Sequence, residues 1–255
     1  MSDAARAVER LDAITHRLRQ DCPWDREQDE RSIVPHTVEE AYELADAARS
    51  GDDAKLLDEL GDVLFQVHFL SMLLQERGAG DLAAVADHVT EKLIRRHPHV
   101  FGETEVRNAG EVLRNWDAIK STEAGREPGV FGEVPENLPG PLYARKVQRR
   151  AASSGFDPAA GDPAQPVDAL RAVLEAAADP QAGDREIGDL LFAAVNLARV
   201  RKVDPELALR DASGRFREAV TAAAELAASE GGTWDDLGFE DQLSYYVRAV
   251  QSRGD

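Results

Sequence analysis

The sequence predicts an all-α protein built as two related helical halves joined by a Gly/Pro-rich linker. Three observations lead there. Apolar residues recur at helical spacing along most of the chain, and strand-period segments are scarce. Glu59-Leu-Gly-Asp-Val-Leu-Phe also returns as Glu186-Ile-Gly-Asp-Leu-Leu-Phe, 127 residues later. The halves are expected at 1–122 and 142–255. Between them, 123–141 reads EAGREPGVFGEVPENLPGP, a composition that breaks helices, and helical pattern resumes at Leu142.

Each element follows from its own signals. Val8, Leu11, Ile14 and Leu18 share one face of a first helix that stops near Cys22-Pro23. Thr37 with Glu40 fits a capping box, so a second helix is expected from Thr37 to the Ser50-Gly51 stop. A third runs from about Asp53 to Glu76. Its middle, LLDELGDVLFQVHFLSMLL, is apolar almost all round, which places it at the centre of a bundle. Asp81, Leu82, Val85, Val89 and Leu93 signal a fourth helix ending before Pro98; Asn108, Val112, Trp116 and Ile119 signal a fifth.

Composition narrows the function. The 255 residues are 43% hydrophobic, and 48 acidic against 30 basic residues give a formal charge of −18. That balance opposes general attraction to nucleic acid or anionic membrane, so a polyanionic ligand needs a local cation or metal. The apolar run Val63 to Leu74 is too short to span a bilayer, and MSDAARAVERLD lacks a signal core. The single cysteine, Cys22, asks for no oxidising compartment, and a cytoplasmic location is expected. Cys22-Pro-Trp24 reads as a packed loop and His68 as a satisfied core histidine. No G-x-x-x-x-G-K-[ST] is present, which argues against a P-loop enzyme.

The chemistry is carried by carboxylates. Glu39 or Glu40 with Glu43, and Glu59 with Asp62, stand three or four residues apart and so share helix faces; two antiparallel helices could bring the sets together. Acids on a helix are ordinarily a solvated face. Glu59 and Asp62, however, sit immediately before the most apolar helical segment, where unpaired carboxylates are least expected. Converging carboxylates repel one another unless hard cations bind between them, and oxygen-only ligands favour Mg²⁺ or Mn²⁺ over zinc.

Glu39-Glu40-x-x-Glu43 followed by Glu59-x-x-Asp62 resembles the EExxE…ExxD signature of MazG and related all-α NTP pyrophosphatases. CPWDREQ at 22–28, ELGDVLFQV at 59–67, KLIRRHPHVF at 92–101 and NWDAIK at 115–120 resemble MazG blocks in the family's order. The resemblance implies a Mg²⁺-dependent nucleoside triphosphate pyrophosphohydrolase, cutting between the α and β phosphorus atoms in nucleotide-pool house-cleaning, and a homodimer. It implies Glu40, Glu43, Glu59 and Asp62 as metal ligands, with Glu39 orienting or deprotonating water. Lys55, Lys92, Arg96, Trp116 and Lys120 match positions implicated in nucleotide contact. Arg95 stands beside them, and Trp116 offers a face on which a base can stack.

The second half keeps Glu186 and Asp189, but where an EExxE should stand it reads AQPVDALRAVLEAA, and Ala182 replaces Lys55 at the repeat offset. Catalysis is therefore expected in the first half only. Two other readings remain open: a non-catalytic acidic scaffold that binds a protein partner, and a narrower pyrophosphatase of the same superfamily acting on dUTP or phosphoribosyl-ATP.

Overall fold

The computed structural model describes residues 2–121, 129–132, 134–162 and 164–253. Among them are twelve α-helices, one short 3-10 helix and no strand. They form two compact units, Met1–Ser121 and Thr122–Asp255. Of the expected linker, residues 123–128 and 133 lie outside the described residues. No described helix is long and apolar enough to cross a membrane.

The first unit comprises α1 (Asp3–Asp21), α2 (Pro23–Glu27), α3 (Glu30–Ser50), α4 (Asp53–Glu76), α5 (Leu82–Arg96), α6 (Pro98–Phe101) and α7 (Ala109–Ser121). Its centre is the antiparallel pair α3 and α4. Gly51 makes the reversal possible: it closes α3 in the left-handed conformation, φ 70°, which L side chains avoid. Asp52 then caps α4 by accepting from the backbone N–H groups of Ala54 and Lys55. The apolar lock of the pair is Ile33, Phe69, Met72 and Leu73, all buried.

Two expectations about these helices are corrected. α3 begins at Glu30, seven residues before Thr37. The Asp29 carboxylate accepts from Arg31 and Ser32, and Ser32 Oγ accepts in return from the Asp29 N–H, so the real capping box lies upstream. The Thr37 hydroxyl faces Gln66 Oε1 at 3.4 Å instead. α4 is not apolar-buried all along: Phe69, Met72 and Leu73 are covered, but Leu57, Leu60, Leu64 and Val67 are exposed. Val8, Ile14 and Leu18 of α1 are exposed as well, because α1 buries Thr15 rather than its most apolar stripe.

CPWDREQ is a short helix, not merely a loop, and Trp24 is half exposed. It is tied down by Arg19, which donates to the carbonyls of Asp25 (2.6 Å) and Gln28 (2.9 Å) and pairs bidentately with Glu76 at 2.8 and 2.9 Å. That one guanidinium joins the ends of α1, α2 and α4. His68 is buried as expected but not satisfied: neither ring nitrogen makes a hydrogen bond, and Nδ1 lies 3.5 Å from Asp12 Oδ1.

The second unit holds α8 (Gly140–Ser153), α9 (Gln165–Ala177), α10 (Asp184–Val200), α11 (Pro205–Ser229), the 3-10 turn Trp234–Asp236 and α12 (Phe239–Arg253). α8 starts at Gly140, two residues before Leu142, because Pro141 fits the first helical turn, where a missing N–H costs nothing. α9 packs on α10, and α11 on α12.

The half-buried pair Arg199–Asp157, 2.7 Å apart, pins the loop after α8 onto α10. The Arg199 hydrogen bond holds the Asp157 carboxyl below its ordinary range, aided by the Ala159 N–H. A depressed carboxyl stabilises the fold above the ordinary aspartate value, and that stability is lost as pH falls through the lowered folded value. Asp157→Asn is therefore expected to lose about 1.5–3 kcal/mol near neutral pH, the range for hydrogen bonds to charged groups. Urea unfolding of this variant and the wild type should converge at acid pH; a gap independent of pH would refute the assignment.

Candidate metal centre

The antiparallel geometry of α3 and α4 sets which carboxylates meet. Residues equally far from Gly51, in opposite directions along the chain, face one another: Glu43 with Glu59, Glu40 with Asp62 and, deeper in the core, Ile33 with Phe69. One carboxylate oxygen from each of Glu40, Glu43 and Glu59 lies within 4.8 Å of the other two. Asp62 stands beside this triad, close enough to raise the pKa of both Glu40 and Glu59.

The electrostatics suit a cation. Burial, followed by Asp62, Glu43, Glu59 and Glu39, pushes the Glu40 carboxyl up. Burial, followed by Glu43, Asp62 and Asp58, does the same to Glu59. Glu59 Oε2 is buried with no hydrogen-bond partner. An orphaned acceptor among like charges is unfavourable in the free protein, and an oxygen-seeking divalent ion removes both penalties at once. The donor set, all carboxylate oxygen, fits a hard cation.

The remaining candidates are placed as follows. Glu39 is not part of the triad and pairs through Oε2 with His36 Nδ1 at 3.2 Å. His36 in turn lies 6.1 Å from the Trp24 ring, a neighbour that the sequence reading missed. Lys55 is exposed in the first turn of α4, one turn before Glu59. Lys92 and Arg96 are half-buried one turn apart on α5, and Arg95, between them in the chain, is exposed. Arg96 and Trp116 are brought together, the guanidinium carbon 5.3 Å from the indole centroid. Lys120 follows Trp116 by one turn of α7 and is half-buried.

The related residues of the second unit are arranged differently. α10 begins at Asp184, so Glu186 falls in its first turn, where Oε2 accepts the Gly183 N–H at 2.9 Å. That bond holds the Glu186 carboxyl below its ordinary range, the reverse of Glu59. Asp168 pairs with Arg171 at 3.2 Å on the exposed side of α9. Among the described residues, the first-unit triad is the one acidic cluster compact enough for a metal ion.

Comparison with known proteins agrees with the geometry. The MazG nucleotide pyrophosphohydrolase domain matches residues 28–101, which contain α3, α4 and α5. A protein of Thermotoga maritima named nucleoside triphosphate pyrophosphohydrolase/pyrophosphatase MazG is 38% identical over 98% of both chains. The nucleoside triphosphate pyrophosphohydrolase of Escherichia coli is 37% identical over 88% of this chain and 89% of its own. One of the same name from Mycobacterium tuberculosis is 34% identical over 60% of this chain and 48% of its own. With α3 and α4 presenting their acids to a common point, and similarity running through both units, this chain belongs to the MazG nucleotide pyrophosphohydrolase family.

Proposed function

We propose that this protein hydrolyses nucleoside triphosphates between the α and β phosphorus atoms, giving the monophosphate and pyrophosphate, with Mg²⁺ held by Glu40, Glu43, Glu59 and Asp62. The convergence of the carboxylates around the orphaned Glu59 Oε2 carries the reading. A divalent ion there supplies charge neutralisation and polarisation of phosphoryl oxygens. Mn²⁺ suits the same ligands.

The chain's own residues do the rest. Lys55, Lys92, Arg95, Arg96 and Lys120 bind the phosphate chain, since phosphoryl transfer asks mainly for positioning and charge stabilisation. Trp116 stacks on the base. Glu39 lies next to the ligand Glu40 without joining the triad, which suits orienting the attacking water and accepting its proton. His36 fixes that carboxylate by its 3.2 Å contact.

We assign catalysis to the first unit and a supporting role in folding or assembly to the second, whose Glu186 serves as a helix cap. The exposed apolar stripe of Leu57, Leu60, Leu64 and Val67, together with Val8, Ile14 and Leu18, favours a homodimer. A cytoplasmic nucleotide-pool role accords with the acidic composition and the free Cys22.

The test is to incubate the protein with each NTP and Mg²⁺ and to quantify pyrophosphate and phosphate separately. Pyrophosphate and monophosphate are expected in equal amounts, and EDTA should stop their release. An acidic scaffold releases neither, and turnover confined to dUTP or phosphoribosyl-ATP marks the narrower enzyme.

A further inference from the structure

The end of α5 turns sharply into α6 at His97, and this residue has no part in the chemistry proposed above. Its ring is held from two sides. His97 Nδ1–H donates to the Leu93 carbonyl at 2.7 Å; because a carbonyl oxygen only accepts, the proton sits on Nδ1 and the ring plane is fixed. The same ring meets the Trp116 indole edge-on, with centroids 4.9 Å apart and planes at 72°. His99 backs it at 5.6 Å. The geometry is one in which aromatic rings attract through their quadrupoles. It spans α5 and α7, which pack together.

We infer that His97 is a positioning residue for nucleobase recognition: it orients the Trp116 indole so that a base can stack on it. The inference rests on Trp116 being the base platform. An indole on α7 has rotational freedom of its own, and stacking demands one orientation. The His97 ring, itself locked by Leu93, supplies that orientation. Arg96 lies over the same indole at 5.3 Å, so one indole is shared by a base-orienting histidine and a phosphate-binding arginine. Disturbing the indole therefore weakens substrate capture rather than the bond-breaking step.

Two variants separate the ring from the helix-end hydrogen bond. His97→Asn keeps a side-chain N–H for the Leu93 carbonyl but removes the ring; His97→Phe keeps the ring and loses the hydrogen bond. In the full chain with Mg²⁺ and ATP, GTP, CTP or UTP, H97N is expected to raise KM roughly tenfold with kcat unchanged, in keeping with the worth of a base–aromatic stack. H97F is expected to restore KM. Competitive inhibition by inorganic tripolyphosphate, which has no base, should weaken in H97N by a much smaller factor than KM rises, since only the Arg96 contact with the indole bears on it. Wild-type KM in H97N overturns the inference, and so does equal impairment of H97N and H97F, which would make His97 only a helix cap. Trp116→Ala distinguishes the two levels. If it raises KM while H97N does not, His97 alone is wrongly assigned; if it leaves KM unchanged, the base platform itself fails.

Discussion

Glu59→Gln is expected to lower NTP turnover at least about a hundredfold and, in the ion-free protein, to raise the thermal midpoint. The first part follows because removal even of outer-shell partners of metal ligands typically costs 10–100-fold, and Glu59 is assigned to the metal directly. The second follows from the free protein's electrostatics. The Glu59 carboxyl is pushed up by burial and by Glu43, Asp62 and Asp58, and its Oε2 has no partner. Neutralising it relieves that repulsion, so the proposed metal site trades stability for function. Asp62→Asn should lose turnover in the same way. The repeat partner provides the control: Glu186 caps α10, so Glu186→Gln should leave turnover intact and lower the midpoint. Pyrophosphate release at saturating Mg²⁺ and calorimetry of EDTA-treated protein measure the two effects. A Glu59→Gln enzyme with near wild-type turnover would remove the metal centre from this cluster.

The contrast between Glu59 and Glu186 also marks how far the sequence could be read. Fold class and the meeting of the carboxylates were legible because both depend on local rules: helical spacing puts Glu40 and Glu43 on one face, and the Ser50-Gly51 stop fixes which residues of α4 lie opposite. The start of α3 was not, since Thr-x-x-Glu satisfies the capping pattern at Thr37 while Asp29 and Ser32 satisfy it in fact. A motif of four residues cannot say which of two caps the chain uses. Among the described residues of the second unit no acidic cluster comparable to the triad is present, for a reason only partly visible in composition. Besides the missing acids, α10 starts so close to Glu186 that its carboxylate is drawn into the helix end. Contacts distant in sequence, such as Arg19 with Glu76 or His97 with Trp116, left no periodic signal. The exposed faces of α1 and α4 read as core because apolar periodicity marks an apolar face without saying whether anything covers it.

Phe69→Ala is expected to destabilise the first unit by about 3–5 kcal/mol, the usual loss for a buried phenylalanine, against a total of about 5–15 kcal/mol for a domain. Phe69 is fully buried, packs with Ile33, Met72 and Leu73, and meets Phe65 edge-on at 5.9 Å. The consequence reaches the carboxylate triad through register. Ile33 and Phe69 face one another by the same equidistance from Gly51 that opposes Glu43 to Glu59 and Glu40 to Asp62, so this apolar contact fixes how the helices slide. Loosening it lets the pair shift, and a slip of one turn, about 5.4 Å, exceeds the 4.8 Å within which the three carboxylate oxygens now sit. Mg²⁺ affinity in the folded variant should therefore fall although no ligand has been changed. Phe69→Leu, which keeps most of the volume, should lose much less of both. Urea unfolding followed by circular dichroism gives the stability change, and Mg²⁺ titration of turnover at low temperature gives the affinity. Wild-type Mg²⁺ affinity in a destabilised Phe69→Ala protein would show that the register is held elsewhere, by the Gly51 turn and its Asp52 cap alone.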